Sequence, residues 1–214
     1  MTDQNEPPEL AIFTIGHSNH TMEAFLGLLR LHRIEVLVDV RSQPYSRYAP
    51  QYARRSLETA VNATDMRYLF LGKELGGRPA GTAFYDAAGH VDYRAVEEAA
   101  FFKEGIARLE TGLRKYRVAI MCSEEDPSGC HRRLLVGRVL AEQDVMLLHI
   151  RGDGRIDREE KVRGERMDEG DGRLALFPEL DTGERRWKSI RSVSRKNQPK
   201  NSSNPSDEWE SSDF

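Results

Sequence analysis

The chain has 214 residues, of which 38% are hydrophobic and 31% charged, with a net charge of −3. It can bury one substantial core, and it lacks the basic excess of a general nucleic-acid coat. No run reaches the ~18 apolar residues of a membrane span, the opening residues lack the apolar stretch of a secretory leader, and two cysteines make no disulfide framework, so a reducing cytoplasm is the expected compartment.

Residues 1–10 read as a flexible leader. Ile12-Phe13-Thr14-Ile15 reads as a first strand, and a helix follows in which Phe25, Leu28, Leu29 and His32 recur at helical spacing. Asn19 or Thr21 is its expected cap, accepting a hydrogen bond from an orphan backbone N–H. A second strand over 35–39 completes a βαβ unit. Pro44 and Pro50 make 42–51 a loop, before a helix over 53–63 and a third strand over 67–71. Residues 72–91, rich in Gly and Ala, read as a long loop, a feature often tied to function. One long helix is expected over 92–115, its buried stripe marked by Val96, Ala99, Phe102, Ile106, Leu109 and Leu113.

A fourth strand is expected over 117–121. A helix should open near Asp126-Pro127, where the missing N–H of proline costs nothing, and continue through Leu134, Leu135, Val139 and Leu140. A fifth strand spans 145–149. The alternation predicts a single three-layer α/β domain: a mostly parallel sheet of about five strands with helices on both faces. The domain is expected over 11–155, followed by a charged extension over 156–188 and a disordered low-complexity tail over 189–214. The charge is concentrated there, since residues 151–214 hold 14 Lys+Arg and 15 Asp+Glu.

Each apolar run stops at reactive or anion-binding residues. The first meets Gly16-His17-Ser18, the second Asp39-Val40-Arg41-Ser42, the third Gly72 to Arg78, and the fourth Cys122-Ser123-Glu124 with Cys130-His131-Arg132 beyond. In a parallel sheet all carboxyl ends share one edge, where ligands bind, so these clusters should converge on one crevice. Residues 41–55 add Arg41, Arg47, Arg54 and Arg55 with Tyr45, Tyr48 and Tyr52 and no acid, a mixture suited to phosphates and stacked bases. A solvated loop has an equal claim on it. Cys130, placed in the first turns of the expected helix, would gain thiolate character from the helix dipole, or would be a small buried packing residue. Arg132 and Arg133 point to a bound anion, or to an ion pair with Glu124, Glu125 or Asp126. His17, Cys122, Cys130, His131 and His149 suffice in number for a tetrahedral metal site, but no C-x2-C or H-x3-H spacing occurs, and no metal ligand or cofactor is assigned.

Taken together, Thr14-Ile15-Gly16-His17-Ser18, Asp39-Val40-Arg41-Ser42 with Pro44 and Ser46, Leu71-Gly72 with Leu75-Gly76-Gly77, Cys122 with Glu124 and Pro127, Cys130-His131-Arg132, and His149-Ile150 resemble the bacterial and archaeal domain-of-unknown-function family 488. The resemblance runs from about residue 11 to 155, with Ser123 standing where the family pattern implies alanine. It implies an α/β domain in a small cytoplasmic protein and carries no particular reaction with it.

The leading expectation is an enzyme, a hydrolase or transferase, acting on a phosphate-bearing small molecule or nucleic acid. Arg41 and Arg132 would hold the anion, because guanidinium forks match phosphate oxygens. Gly16, Ser18, Ser42 and Gly76 would line the substrate, and His17, Asp39, Glu124 and His131 would supply acid–base chemistry. A thiol-centred redox or metal-dependent enzyme using Cys122 and Cys130 is the first rival. A non-enzymatic nucleotide- or nucleic-acid-binding module is the second. No membrane partner is expected, and the sequence assigns no oligomeric state.

Overall fold

The structure, a computed structural model, describes residues 10–45, 47–162 and 188–193. Residues 1–9 of the expected leader, 163–187 of the expected extension and 194–214 of the expected tail lie outside the described residues. The strands are β1 (Ala11–Gly16), β2 (Val36–Asp39), β3 (Arg67–Phe70), β4 (Val118–Cys122), β5 (Met146–Ile150) and β6 (Ile156–Arg158). They form one sheet in the order β3-β2-β4-β1-β5-β6. All pairings are parallel except β5 with β6.

Successive strand residues point to opposite faces, and both faces here are apolar. Ile12, Val36, Val38, Val118, Ile120 and Leu147 meet one helical layer, while Phe13, Ile15, Leu37, Ala119, Met121 and Ile150 meet the other. The second layer is α1 (Met22–Leu31) and α2 (Arg54–Asn62), which bury Phe25, Leu26, Leu29, Leu57 and Val61. Of the two expected caps, Asn19 and Thr21, it is Thr21 that caps α1, its hydroxyl accepting from the Ala24 N–H at 3.2 Å. The result is the three-layer, mostly parallel α/β architecture read from the sequence.

The opposite layer corrects two expectations. The single helix over 92–115 is two, α3 (Tyr93–Glu97) and α4 (Ala100–Leu113), with Ala99 in extended conformation between them. At about 100° per residue, an unbroken helix would put Tyr93 and Phe102 on opposite sides. Both are buried in the same core, so the break restores the phase. The helix expected from Pro127 instead opens with π-helical Arg132–Gly137 and continues as α5 (Arg138–Ala141). Asp126 closes a turn on Ser128 through its N–H at 2.8 Å and its hydroxyl at 2.6 Å. Residues 126–130 are thereby a loop, and Cys130 precedes the helix rather than riding in its first turns.

Two further elements lie beyond the five expected strands. In β6 the buried position is Asp157, satisfied by Lys161 at 2.6 Å and Arg151 at 3.1 Å, so an apolar pattern has nothing to register. The segment 188–193, expected to belong partly to the disordered tail, lies against the loop before α3. Ser189 N–H donates to the Val91 carbonyl at 2.9 Å, and Val193 N–H to that of Gly89 at 2.7 Å. Backbone pairing of this kind needs no hydrophobic periodicity. Among the described residues no helix is long and apolar enough to cross a membrane.

Candidate functional site

β2, β4 and β1 are adjacent in the sheet, so their carboxyl ends place Asp39, Cys122 and Gly16 side by side. Gly16 is required there, because a Cβ would overlap the Glu124 carbonyl group. That close approach lets the turn after β1 dock on the turn after β4: His17 N–H donates to the Cys122 carbonyl at 3.0 Å, and Ser18 N–H to that of Ser123 at 2.9 Å.

Asp39 and Arg41 form a buried pair. Arg41 Nε donates to Asp39 Oδ1 at 2.9 Å and its terminal nitrogen to Oδ2 at 2.6 Å. Asp39 also accepts from the Arg41 backbone N–H at 3.0 Å and from Tyr68 Oη at 2.8 Å. Arg41 further donates to the Tyr52 carbonyl at 2.9 Å and to His17 Nε2 at 3.1 Å. His17 is stacked on Tyr52, with 4.1 Å between ring centroids, and its Nδ1–H donates to the Ser18 carbonyl at 2.8 Å. The His17 tautomer is thus fixed and neutral. Burial, aided by the Arg41 guanidinium and opposed by the Ser18 carbonyl, lowers its pKa to about 4.

A pH dependence follows. The unfolded chain protonates His17 near its ordinary 6.5, while the folded chain resists protonation down to about 4. Stability from this group is therefore complete above the unfolded pKa and is lost as pH falls through that window, by roughly 3 kcal/mol in all. Denaturant midpoints measured across the window should fall in the wild type, with a slope smaller by about one proton in His17→Gln. Equal slopes would show that His17 does not resist protonation in the fold.

A second network lies across β1. Arg132, fully buried, donates to the backbone carbonyls of Glu124 and Glu125 and to Thr14 Oγ1. Thr14 in turn meets His149 Nδ1 at 2.9 Å, and His149 Nε2 meets Glu159 at 3.0 Å. Glu159 also takes the Arg133 guanidinium in a forked pair, with contacts of 2.7 to 3.0 Å. The partner of Arg133 is therefore Glu159, while Arg132 meets main-chain oxygens rather than the carboxylates of Glu124, Glu125 or Asp126. The Glu124 carboxylate points away, to Arg191 at 2.8 Å.

Between these networks lies a compact trio. Cys122 Sγ is 3.7 Å and Cys130 Sγ 4.0 Å from His131 Nδ1, and the three atoms lie within 4.8 Å of one another. His131 Nε2 faces the Val40 carbonyl at 2.9 Å. A carbonyl only accepts, so Nε2 carries the proton and the Nδ1 lone pair is turned toward both sulfurs. The Cys130 thiol, the Arg132 guanidinium and the N–H groups of Ser123 and Glu124 outweigh burial and hold the Cys122 thiol below its ordinary range. Burial, then the neighbouring Cys122, pushes the Cys130 thiol up. Burial opposes charge on His131, but Cys130 and the Val40 carbonyl raise its pKa. Both sulfurs are buried, Cys122 8% and Cys130 1% exposed, while His131 is half-buried. Concavities along α2 and beside α4 are lined by none of its members. These soft ligands are also the group, among the described residues, that could hold a metal ion.

The remaining expected residues shape the walls. Ser42 Oγ accepts from the Arg78 N–H at 2.8 Å, and a Cβ on Gly76 would strike Ser42. A Cβ on Gly77 would come within 2.6 Å of the His131 ring, so the glycines let loop 72–78 cover the trio's imidazole. The arginine–tyrosine segment divides: Arg41 and Tyr52 are buried, Arg54 lies 4.2 Å over the Phe70 ring, and Tyr45 and Tyr48 are exposed. Sequence reasoning missed Thr14, Tyr52, Tyr68 and Glu159 as partners. Thr14 left a signal, a hydroxyl inside an apolar strand, whereas Glu159 is one acid among many.

No curated protein and no solved structure matches the chain. The profile of the domain of unknown function DUF488 matches residues 21–139, a span holding Asp39, Arg41, Cys122, Cys130, His131 and Arg132. With more than half of its length so matched, the chain belongs to the DUF488 family.

Proposed function

We propose that the chain is a thiol-centred redox enzyme in which Cys122 attacks and Cys130 resolves. The observation that carries the reading is the convergence of both sulfurs on His131 Nδ1, with the imidazole oriented by the Val40 carbonyl. A nucleophile, a base within reach and a third group orienting the base are the parts of an activated thiol. The burial of both sulfurs favours a small oxidant such as a peroxide. The Cys122 thiolate would displace alkoxide from the peroxide and become a sulfenic acid. The Cys130 sulfur would then attack it, releasing water and forming a disulfide, which an external thiol reduces. Phosphate recognition by Arg41 and Arg132 draws less support, because both guanidiniums are buried and donate to groups of the protein itself.

The test is mass spectrometry of the reduced chain after one equivalent of peroxide. Wild type should lose two hydrogens as a disulfide, and Cys130→Ser should stop at a sulfenic acid on Cys122 that dimedone traps. Loss of the base in His131→Gln should slow the first step by roughly 100-fold. Intact thiols in the wild type, with no dimedone adduct in Cys130→Ser, would remove the reading.

A further inference from the structure

We propose that the reduced trio is also a zinc site, with Cys122 Sγ, Cys130 Sγ and His131 Nδ1 as three protein ligands and a fourth position for water. The inference goes beyond redox turnover and stands on ligand geometry. Zn–S bonds of about 2.3 Å and Zn–N bonds of about 2.0 Å at tetrahedral angles put sulfur and nitrogen about 3.5 Å apart. The sulfur-to-nitrogen separations here are 3.7 and 4.0 Å, a few tenths of an ångström too long. All three atoms lie within 4.8 Å of one another, so the two sulfurs need to close by at most about 1 Å to reach the roughly 3.8 Å of a tetrahedral thiolate pair.

The chemistry of the donors agrees. Thiolate and imidazole select zinc over magnesium or calcium, which prefer oxygen. Two thiolates neutralise the dication, so the loaded site places no net charge in the interior. The ligand histidine already has the support that metal-bound histidines use: its other ring nitrogen donates to a backbone carbonyl, that of Val40 at 2.9 Å, fixing the tautomer and leaving the lone pair on the ligand side. The ligands are also held from three directions. Cys122 ends β4, Cys130 and His131 close the loop that Arg132 pins at Glu124 and Glu125, and loop 72–78 backs the imidazole at Gly77. The spacing C-x7-C-H falls outside the sequence patterns of zinc knuckles because a strand end and a loop end supply the ligands. A metal-loaded trio has no free thiolate, so zinc protects Cys122 from peroxide, and oxidation to the disulfide releases the metal.

Cobalt titration of the reduced, full-length chain tests this. Bound Co2+ should give a sulfur-to-cobalt charge-transfer band with tetrahedral visible bands, saturating at one equivalent and abolished by Zn2+. Cys130→Ser and His131→Ala should each weaken binding by more than the roughly 10–100-fold that loss of an outer-shell partner costs. Absence of the bands in wild type overturns the proposal whatever the variants do. So does a band of unchanged intensity and affinity in Cys130→Ser. Disulfide formation by metal-free protein reads the redox reading alone, so either can fail without the other.

Discussion

Replacing Asp39 with asparagine should cost the fold roughly 3–5 kcal/mol, the range for breaking one side of a buried ion pair. The change keeps the volume and removes the charge, so cavity formation does not enter. Asp39 is fully buried and Arg41 is 4% exposed, so water cannot replace the lost carboxylate. Asparagine offers one acceptor oxygen where the carboxylate offers two, and in either orientation its amide would face a donor of the Arg41 guanidinium, with Tyr68 Oη as a second one on the Oδ2 side. The damage should spread, since the same guanidinium holds His17 at 3.1 Å and the Tyr52 carbonyl at 2.9 Å. Denaturant unfolding should show a lower midpoint with an unchanged slope. Adding Arg41→Gln should recover part of the loss, because the uncompensated charge is then gone. A single-mutant loss under about 1 kcal/mol would mean that the pair behaves like a surface salt bridge.

What the sequence makes legible is what side-chain type alone determines. Val36-Leu37-Val38 and Val118-Ala119-Ile120-Met121 are buried on both faces, and such runs have little choice but central parallel strands. Thr21 is readable as a cap because a hydroxyl before an apolar period has one efficient use. Direction and phase are harder. The break at Ala99 shows only when Tyr93 is placed on the same wheel as Phe102. Asp126-Pro127 has the composition of a helix start, but the Asp126 carboxylate closes a turn on Ser128, and local composition does not choose between those uses. The site divides in the same way. Convergence at the carboxyl edge follows from the strand-then-motif pattern, yet nothing in the letters says that the Arg41 fork faces inward. Nor do they show that the Val40 carbonyl sets the His131 tautomer, since a backbone oxygen has no residue identity to read.

Gly16→Ala should be the most disruptive small substitution at the site, because it joins strand, loop and trio in one clash. The added Cβ would overlap the Glu124 carbonyl group and come within 2.7 Å of the Glu125 Cα. These are backbone atoms, so no rotamer change relieves the contact. The loop cannot simply lift, since Arg132 grips the Glu124 and Glu125 carbonyls and Arg151 holds the Glu125 carboxylate at 2.9 Å. Relief therefore requires leaving the buried Arg132 partly unpaired, or peeling β1 from β4 where His17 and Ser18 donate to the Cys122 and Ser123 carbonyls. Overpacking alone costs about 1–3 kcal/mol, and disturbing the buried guanidinium brings the expected loss to about 3–5 kcal/mol. Peroxide-driven disulfide formation should fall with it, because the shifted loop carries the Ser123 and Glu124 N–H groups away from the Cys122 sulfur. Gly27→Ala is the matched control: the residue lies in α1, and a Cβ there meets nothing within 4 Å. It should be neutral or stabilising by up to about 1 kcal/mol. If both alanine variants unfold at the wild-type denaturant midpoint, the close approach of the two turns is not what positions the thiols.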